Sequence, residues 1–265
     1  MYAAEVNVAR RRQTGLRADQ DAYGQIYQAL LEGREAQEIM ERDDGLIYCG
    51  DPSDYFAPYR RWPAAEKRAL RFVRGRVLDV GCGAGRVSLH LQARGHDVVA
   101  IDESPLAIAV AERRGVTQTA LRSLADLDRS FGIFDTILVL RNNFGLVGAE
   151  ASAPRLLRRL AALTTERGRI ITDSVDPDRI ADPVFHSYRL NDDPTLRPRA
   201  QRYRVRWQRY ATPWFYYLMF SPAELERLVA RTGWRVRRII DDGAPRFAVV
   251  LEKERRGAAD AQVER

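Results

Sequence analysis

The sequence predicts an α/β protein built on a doubly wound, mostly parallel sheet. Three observations predict it. From residue 76 to 175, short β-branched apolar runs alternate with segments of helical period. The first of these runs ends in a glycine-rich turn that opens a helix. Two late runs, 234–241 and 246–252, are separated only by the turn "DGAP", which folds them back on one another.

The elements follow in order. Tyr23, Ile26, Tyr27, Leu30 and Leu31 share one helical face, and Gly33 ends that helix. The stretch "DDGLIYCGDPSDYFAPY" reads as loop, and Pro63 starts a second helix through "AAEKRALRFV". "RVLDVG" is a buried strand, followed by a helix over "RVSLHLQARG" and a second strand, "DVVAID". Ser104 caps and Pro105 opens the next helix. "VTQTALR" is a weaker third strand, "FDTILVL" a strong fourth, and "GRIITDS" the fifth; Leu156, Leu157, Leu160 and Leu163 mark the helix before it. Strands alternating with helices imply right-handed crossovers. Beyond residue 174 the pattern changes to a long Pro/Asp-rich stretch. It is followed by "YRVRWQRY", alternating like a strand with one wet face, and the capped helix "SPAELERLVARTG". The expected organisation is a disordered N-terminus over 1–20, a helical lid segment over 21–62, a core over 63–252 with an insertion at 175–220, and a disordered tail over 253–265.

Composition bounds the function. The chain has 265 residues, 45% of them hydrophobic and 30% charged, as expected of a soluble globular protein with one large core. No apolar run is long enough to span a bilayer, and the N-terminus lacks the apolar stretch of a secretory signal. Two cysteines, Cys49 and Cys82, make no disulfide framework, and no Cys/His cluster suggests a metal; the expected setting is the cytoplasm. The net charge of +7 invites a nucleic-acid reading. Against it, only Lys67 and Lys253 of the 43 basic residues are lysines, and the arginines are scattered along the chain. No nucleic-acid partner is expected, and the chain is expected to be a monomer or homodimer.

The glycine turn carries the chemistry. In "VLDVGCGAGR", Gly81, Gly83 and Gly85 permit a tight turn and close approach of a ligand, and Asp79 stands just before them. Asp102 ends the second strand, where an acid accepts hydrogen bonds from ribose hydroxyls. The dinucleotide pattern needs a glycine where Arg86 stands. The spacing D-x-G-x-G-x-G, with "VVAIDESP" and "FDTILVL", resembles the class I S-adenosylmethionine-dependent methyltransferases over roughly residues 60–175. The resemblance implies a Rossmann-like, doubly wound, seven-stranded sheet with an antiparallel last strand, and S-adenosylmethionine as cofactor.

Carried over residue by residue, the resemblance implies that Gly81, Gly83 and Gly85 pass under the methionine portion. Asp79 would hold its ammonium, Asp102 the ribose hydroxyls, and Glu103 would lie beside the adenosine. Ser123 stands where the family often has an acid reading the adenine amino group, so the Leu124 backbone N–H would share that work. Arg141 and Asn142 follow the fourth strand, where the family's backbone meets the methionine amino group, and Arg60 is a candidate for the cofactor carboxylate. For the chemistry, "RNNFG" supplies Asn143 and is similar in character to a segment of glycine and sarcosine N-methyltransferases. "TDSVD" supplies Asp173 and Asp176, and "FHSYRL" supplies His186, a candidate general base. Aromatic residues from the N-terminal segment and the insertion would line a lid or form a satellite core. The implied function is methyl transfer to an O or N atom of a small organic acceptor. A methyltransferase acting on protein or RNA, or a non-catalytic cofactor-binding protein, are the alternatives.

Overall fold

The computed structural model describes residues 15–147, 152–186 and 200–254. Along the chain, helix α1 (Ala22–Leu31) leads into strands β1 (Glu38–Arg42) and β2 (Ile47–Gly50). Two 3-10 turns, Pro52–Phe56 and Tyr59–Arg61, precede α2 (Ala64–Ala69). Then come β3 (Val77–Val80), α3 (Arg86–Gln92), β4 (Val98–Asp102), α4 (Pro105–Arg113), β5 (Thr119–Leu121) and β6 (Phe134–Val139). They are followed by α5 (Ala153–Ala162), β7 (Thr164–Val175) and α6 (Pro183–His186). The chain continues through β8 (Ala200–Trp207), β9 (Tyr210–Ala211), β10 (Phe215–Leu218), α7 (Pro222–Val229), β11 (Trp234–Ile240) and β12 (Arg246–Lys253).

The central sheet has seven strands in the order β11-β12-β7-β6-β3-β4-β5. The pairs β7–β6, β6–β3, β3–β4 and β4–β5 are parallel, whereas β12 runs antiparallel to both β7 and β11. This is the doubly wound, seven-stranded arrangement with an antiparallel last strand that the sequence predicts. β3 is buried on both faces, as a central parallel strand must be. Its alternate residues feed two cores. Leu78 and Val80 pack with α5 and α7 residues such as Leu157 and Leu225. Val77 packs on the other face with Ala65, Ala69, Val87 and Leu91 of α2 and α3. Each fully buried leucine or valine contributes about 1.5–3 kcal/mol.

The region read as loop folds differently. Residues 38–50 form a hairpin whose turn ends at Gly45 with φ +93°. β1 pairs with β8, and β8 with β9 and β10, so the N-terminal segment and the insertion together build a second, antiparallel, five-stranded sheet. α1 packs between this sheet and α4, in a core that includes Ile26, Tyr27, Ala107, Val110, Val205 and Trp207. The expected ends also differ. Residues 15–20 are ordered alongside the first helix, with Leu16 N–H donating to the Glu103 carbonyl at 3.1 Å. At the other end Lys253 belongs to β12. Residues 1–14 and 255–265, expected to be disordered, lie outside the described residues.

Candidate functional site

β3 delivers the chain into the glycine turn, and β4 delivers Asp102 beside it, because the two strands pair in parallel with Val80 opposite Ile101. Gly81, Gly83 and Gly85 all take left-handed φ values, +70°, +53° and +76°. At Gly83 a Cβ would stand 3.3 Å from the Tyr27 hydroxyl, so any side chain there meets both unfavourable φ and an aromatic neighbour. At Gly85 a Cβ would press within 2.7 Å of Val116, so that glycine serves the approach of α3 to its neighbours.

Asp102 closes the turn. Its two carboxylate oxygens accept from the Gly83 N–H and the Ser104 N–H, each at 2.9 Å. The side chain is half-buried, and each oxygen keeps a further acceptor position. Burial pushes its pKa up to about 6, against the two backbone donors that favour the charged form. Asp79 is 3% exposed and accepts from Ser88 Oγ at 2.6 Å; burial raises its pKa to about 6 as well. A nucleoside carrying an ammonium fits this pair: one carboxylate meets hydroxyls, the other a cation that offsets its burial. Glu103 is exposed, and its backbone carbonyl meets residue 16. Ser123 caps a 3-10 turn through Ala125 N–H at 3.2 Å, and Leu124 begins that turn, half-buried against the core. The Ser123 hydroxyl is thus already an acceptor.

The end of β6 is strained. Arg141 and Asn142 are both left-handed, at φ +61° and +58°, a sparsely populated conformation for residues with a Cβ. The turn is held by Asp173 of β7, whose Oδ1 accepts from Asn142 N–H at 2.6 Å and whose Oδ2 accepts from Arg246 at 2.7 Å. The Asn142 amide donates to the Leu218 carbonyl at 3.0 Å. Asn142 is fully buried, and its amide ties the turn to β10. Asn143 Nδ2 donates to the carbonyls of Val80 and Gly81, both at 3.3 Å, stapling the β6 end to the glycine turn. Arg141 lies over the Tyr55 ring at 5.2 Å with Asp54 at 3.8 Å. Burial works against its charge, but Tyr55, Asp173, Glu66 and Asp54 together raise its pKa.

Several expected residues stand apart. Arg60 is exposed in its 3-10 turn, where its carbonyl accepts from Lys67 at 3.3 Å; the structure does not bring it to the glycine turn. Asp176 is buried, caps the turn Pro177–Arg179 and pairs with Arg179 at 3.3 Å. His186 ends α6, and its side chain lies outside the described residues.

Other residues escaped the sequence reading. Asp21 caps α1 through Gly24 N–H and also accepts from Ser104 Oγ at 2.6 Å and Leu106 N–H at 3.2 Å, joining two helix starts. An acid directly before a helix-period run was the available signal. Glu38 accepts from the Tyr23 and Tyr55 hydroxyls, and no spacing marks it. Tyr27 packs on both tyrosines, with ring centroids 6.0 Å from Tyr23 and 4.9 Å from Tyr55. Of these rings Tyr27 lies against the glycine turn beside Gly83.

Known proteins are similar to this chain in sequence and fold. A family model described as a methyltransferase domain matches residues 53–239. A solved S-adenosylmethionine-dependent methyltransferase from Bacteroides fragilis, in complex with S-adenosyl-L-homocysteine, is 26% identical with a TM-score of 0.77; the match covers 91% of this chain and 98% of that one. The glycine/sarcosine N-methyltransferase of Parasynechococcus marenigrum (strain WH8102) is 28% identical over 176 residues, 61% of this chain and 60% of the relative. The ubiquinone biosynthesis O-methyltransferase of Azorhizobium caulinodans is 31% identical over 120 residues, 42% of this chain and 45% of the relative. The chain thus spans between about two-fifths and three-fifths of the length of these two curated relatives.

Proposed function

The chain belongs to the methyltransferase-domain family, in the class I S-adenosylmethionine-dependent group, and from that premise we propose that it transfers a methyl group to an O or N atom of a small organic acceptor. The observation that carries the reading is the Gly83–Asp102 clamp with Tyr27 against Gly83 and Tyr55 packed on Tyr27. When bound, the cofactor supplies a methyl group already activated on a sulfonium, so direct displacement needs no further electrophile.

The chain's own residues bind, orient and exclude water. Asp102 would accept the ribose hydroxyls through its free acceptor positions while keeping the turn in place. Asp79 would offset the methionine ammonium, and Glu103 with the 123–124 turn would border the adenosine. Asn143 and Asp173 act through the backbone: one staples the glycine turn, the other holds the strained end of β6, and both set where an acceptor can sit. They are positioning residues in this reading. Tyr23, Tyr27 and Tyr55 would wall the acceptor from bulk water and present ring faces to positive charge. The base role of His186 rests on its position in the insertion after β7.

The relatives' names include both N- and O-methyltransferases, which supports a small acceptor without fixing its atom. The test is incubation with methyl-labelled S-adenosylmethionine and a metabolite extract separated into small-molecule and polymer fractions. Label entering the small-molecule fraction, and lost with Asp102→Ala, is the expected result. Label entering only protein or RNA would overturn the small-acceptor reading.

A further inference from the structure

Glu38 is a buried carboxylate, 9% exposed, on the inner strand of the hairpin. Its partners are phenols. Oε1 accepts from Tyr23 at 3.0 Å and Oε2 from Tyr55 at 3.2 Å. Among the described residues, no arginine or lysine forms an ion pair with it. Oε1 also accepts from Tyr55 at 3.4 Å, so Oε2 keeps the freer acceptor position, and the negative charge lacks a close counter-charge. Burial of such a charge costs several kcal/mol unless something positive compensates it. The cation that stands nearby, Arg141, is offset by Asp54 at 3.8 Å.

The surroundings match what is missing. The Tyr23 and Tyr55 rings meet edge to face with centroids 6.1 Å apart, and Tyr27 packs on both. Tyr27 also reaches Gly83, which places the carboxylate one aromatic layer from the glycine turn. An acid held at the hydroxyl ends of two aromatic rings complements a compact organic cation, and a neutral hydroxyl gains far less from it.

We propose that the acceptor is an amine that enters as its ammonium, is held by the Glu38 carboxylate within the Tyr23–Tyr27–Tyr55 cluster, and is methylated on nitrogen. This rests on the methyl-transfer reading above. The ammonium gives one proton to Glu38, which takes the base role in place of His186, freeing the nitrogen lone pair. That pair forms the new N–C bond to the methyl carbon as the C–S bond breaks, its electrons remaining on sulfur to leave S-adenosylhomocysteine. The methylated product departs as an ammonium, and Glu38 passes its proton to water, so each turnover releases one proton. Burial raises the pKa of Glu38, against the two tyrosine hydrogen bonds and Arg141, which suits a carboxylate that must accept a proton and return it.

The test is calorimetric titration of the protein saturated with S-adenosylhomocysteine, using benzylammonium chloride and benzyl alcohol as probes. The wild type is expected to bind the ammonium at least tenfold more tightly than the alcohol. Glu38→Gln is expected to lose at least tenfold in ammonium affinity while holding S-adenosylhomocysteine within about twofold. Equal binding of the two probes by the wild type, no binding of either, or an unchanged ammonium affinity in Glu38→Gln would overturn the proposal. Failure of S-adenosylhomocysteine itself to bind would overturn the methyl-transfer reading beneath it, and is seen before any probe is added.

Discussion

At the scale of single residues, the two acids of the site carry opposed demands. Asp79 and Asp102 each have a pKa near 6 in the free protein, above the ordinary value of 3.8. Their contribution to folding is therefore fully present below about pH 4 and is lost as pH rises through 6. The proposed cofactor contacts of Asp79 and Asp102 need the charged forms and run the other way, so affinity for S-adenosylhomocysteine should fall steadily as pH drops below about 6. Titrations at several pH values between 5 and 8 check this, and a flat profile would contradict it. Asp79→Asn keeps an acceptor for Ser88 and removes a buried charge. It should stabilise the free protein at neutral pH by up to about 3 kcal/mol while weakening cofactor binding. Thermal melts with and without ligand read both effects. Asp102→Ala should weaken S-adenosylmethionine and S-adenosylhomocysteine alike by about 1–3 kcal/mol; a loss confined to one ligand would place Asp102 away from the ribose. Asp79 and Asp102 could be read from the sequence because strand, turn and strand end fix their places. The Ser88 and Gly83 donors could not, because they depend on how the turn closes.

At the scale of elements, the capped helices were readable, since Ser104 and Ser221 precede Pro-led helices and both caps form. The hairpin β1–β2 was not. β2 is largely exposed along its length, so it lacks the apolar alternation of a half-buried strand, and β1 gains its inner neighbour only from β8. Its one local cue was the Asp-Asp-Gly turn. Asp21 works at this scale too, since it ties α1 to the start of α4 beside Asp102. Asp21→Ala should cost about 1–2 kcal/mol of stability, as loss of a helix cap does. It should also weaken cofactor binding, because Ser104 N–H is one of the two donors that orient Asp102. Denaturant unfolding and ligand titration of the variant separate the two effects, and unchanged ligand affinity would show that the cap is structural alone.

At the scale of the whole molecule, the parallel sheet and its order follow from local runs and their connections, which is why the central fold was readable from sequence. The second sheet joins residues 38–50 to residues 200–218; β8 carries the alternation of a strand with one wet face, but neither segment marks the other as its partner. Glu38 was hidden at shorter range, because its surroundings exist only once helix α1, the hairpin and the 3-10 turn Pro52–Phe56 have met. The glycine turn and Asp102 are proposed together as the site for S-adenosylmethionine. Isothermal titration of the purified protein with S-adenosylhomocysteine tests this, with NAD as the competing nucleotide and Gly83→Val as the control. One site of micromolar affinity for S-adenosylhomocysteine, no heat with NAD, and loss of binding in Gly83→Val are expected. Wild-type affinity in Gly83→Val, or binding of NAD in place of S-adenosylhomocysteine, would contradict it.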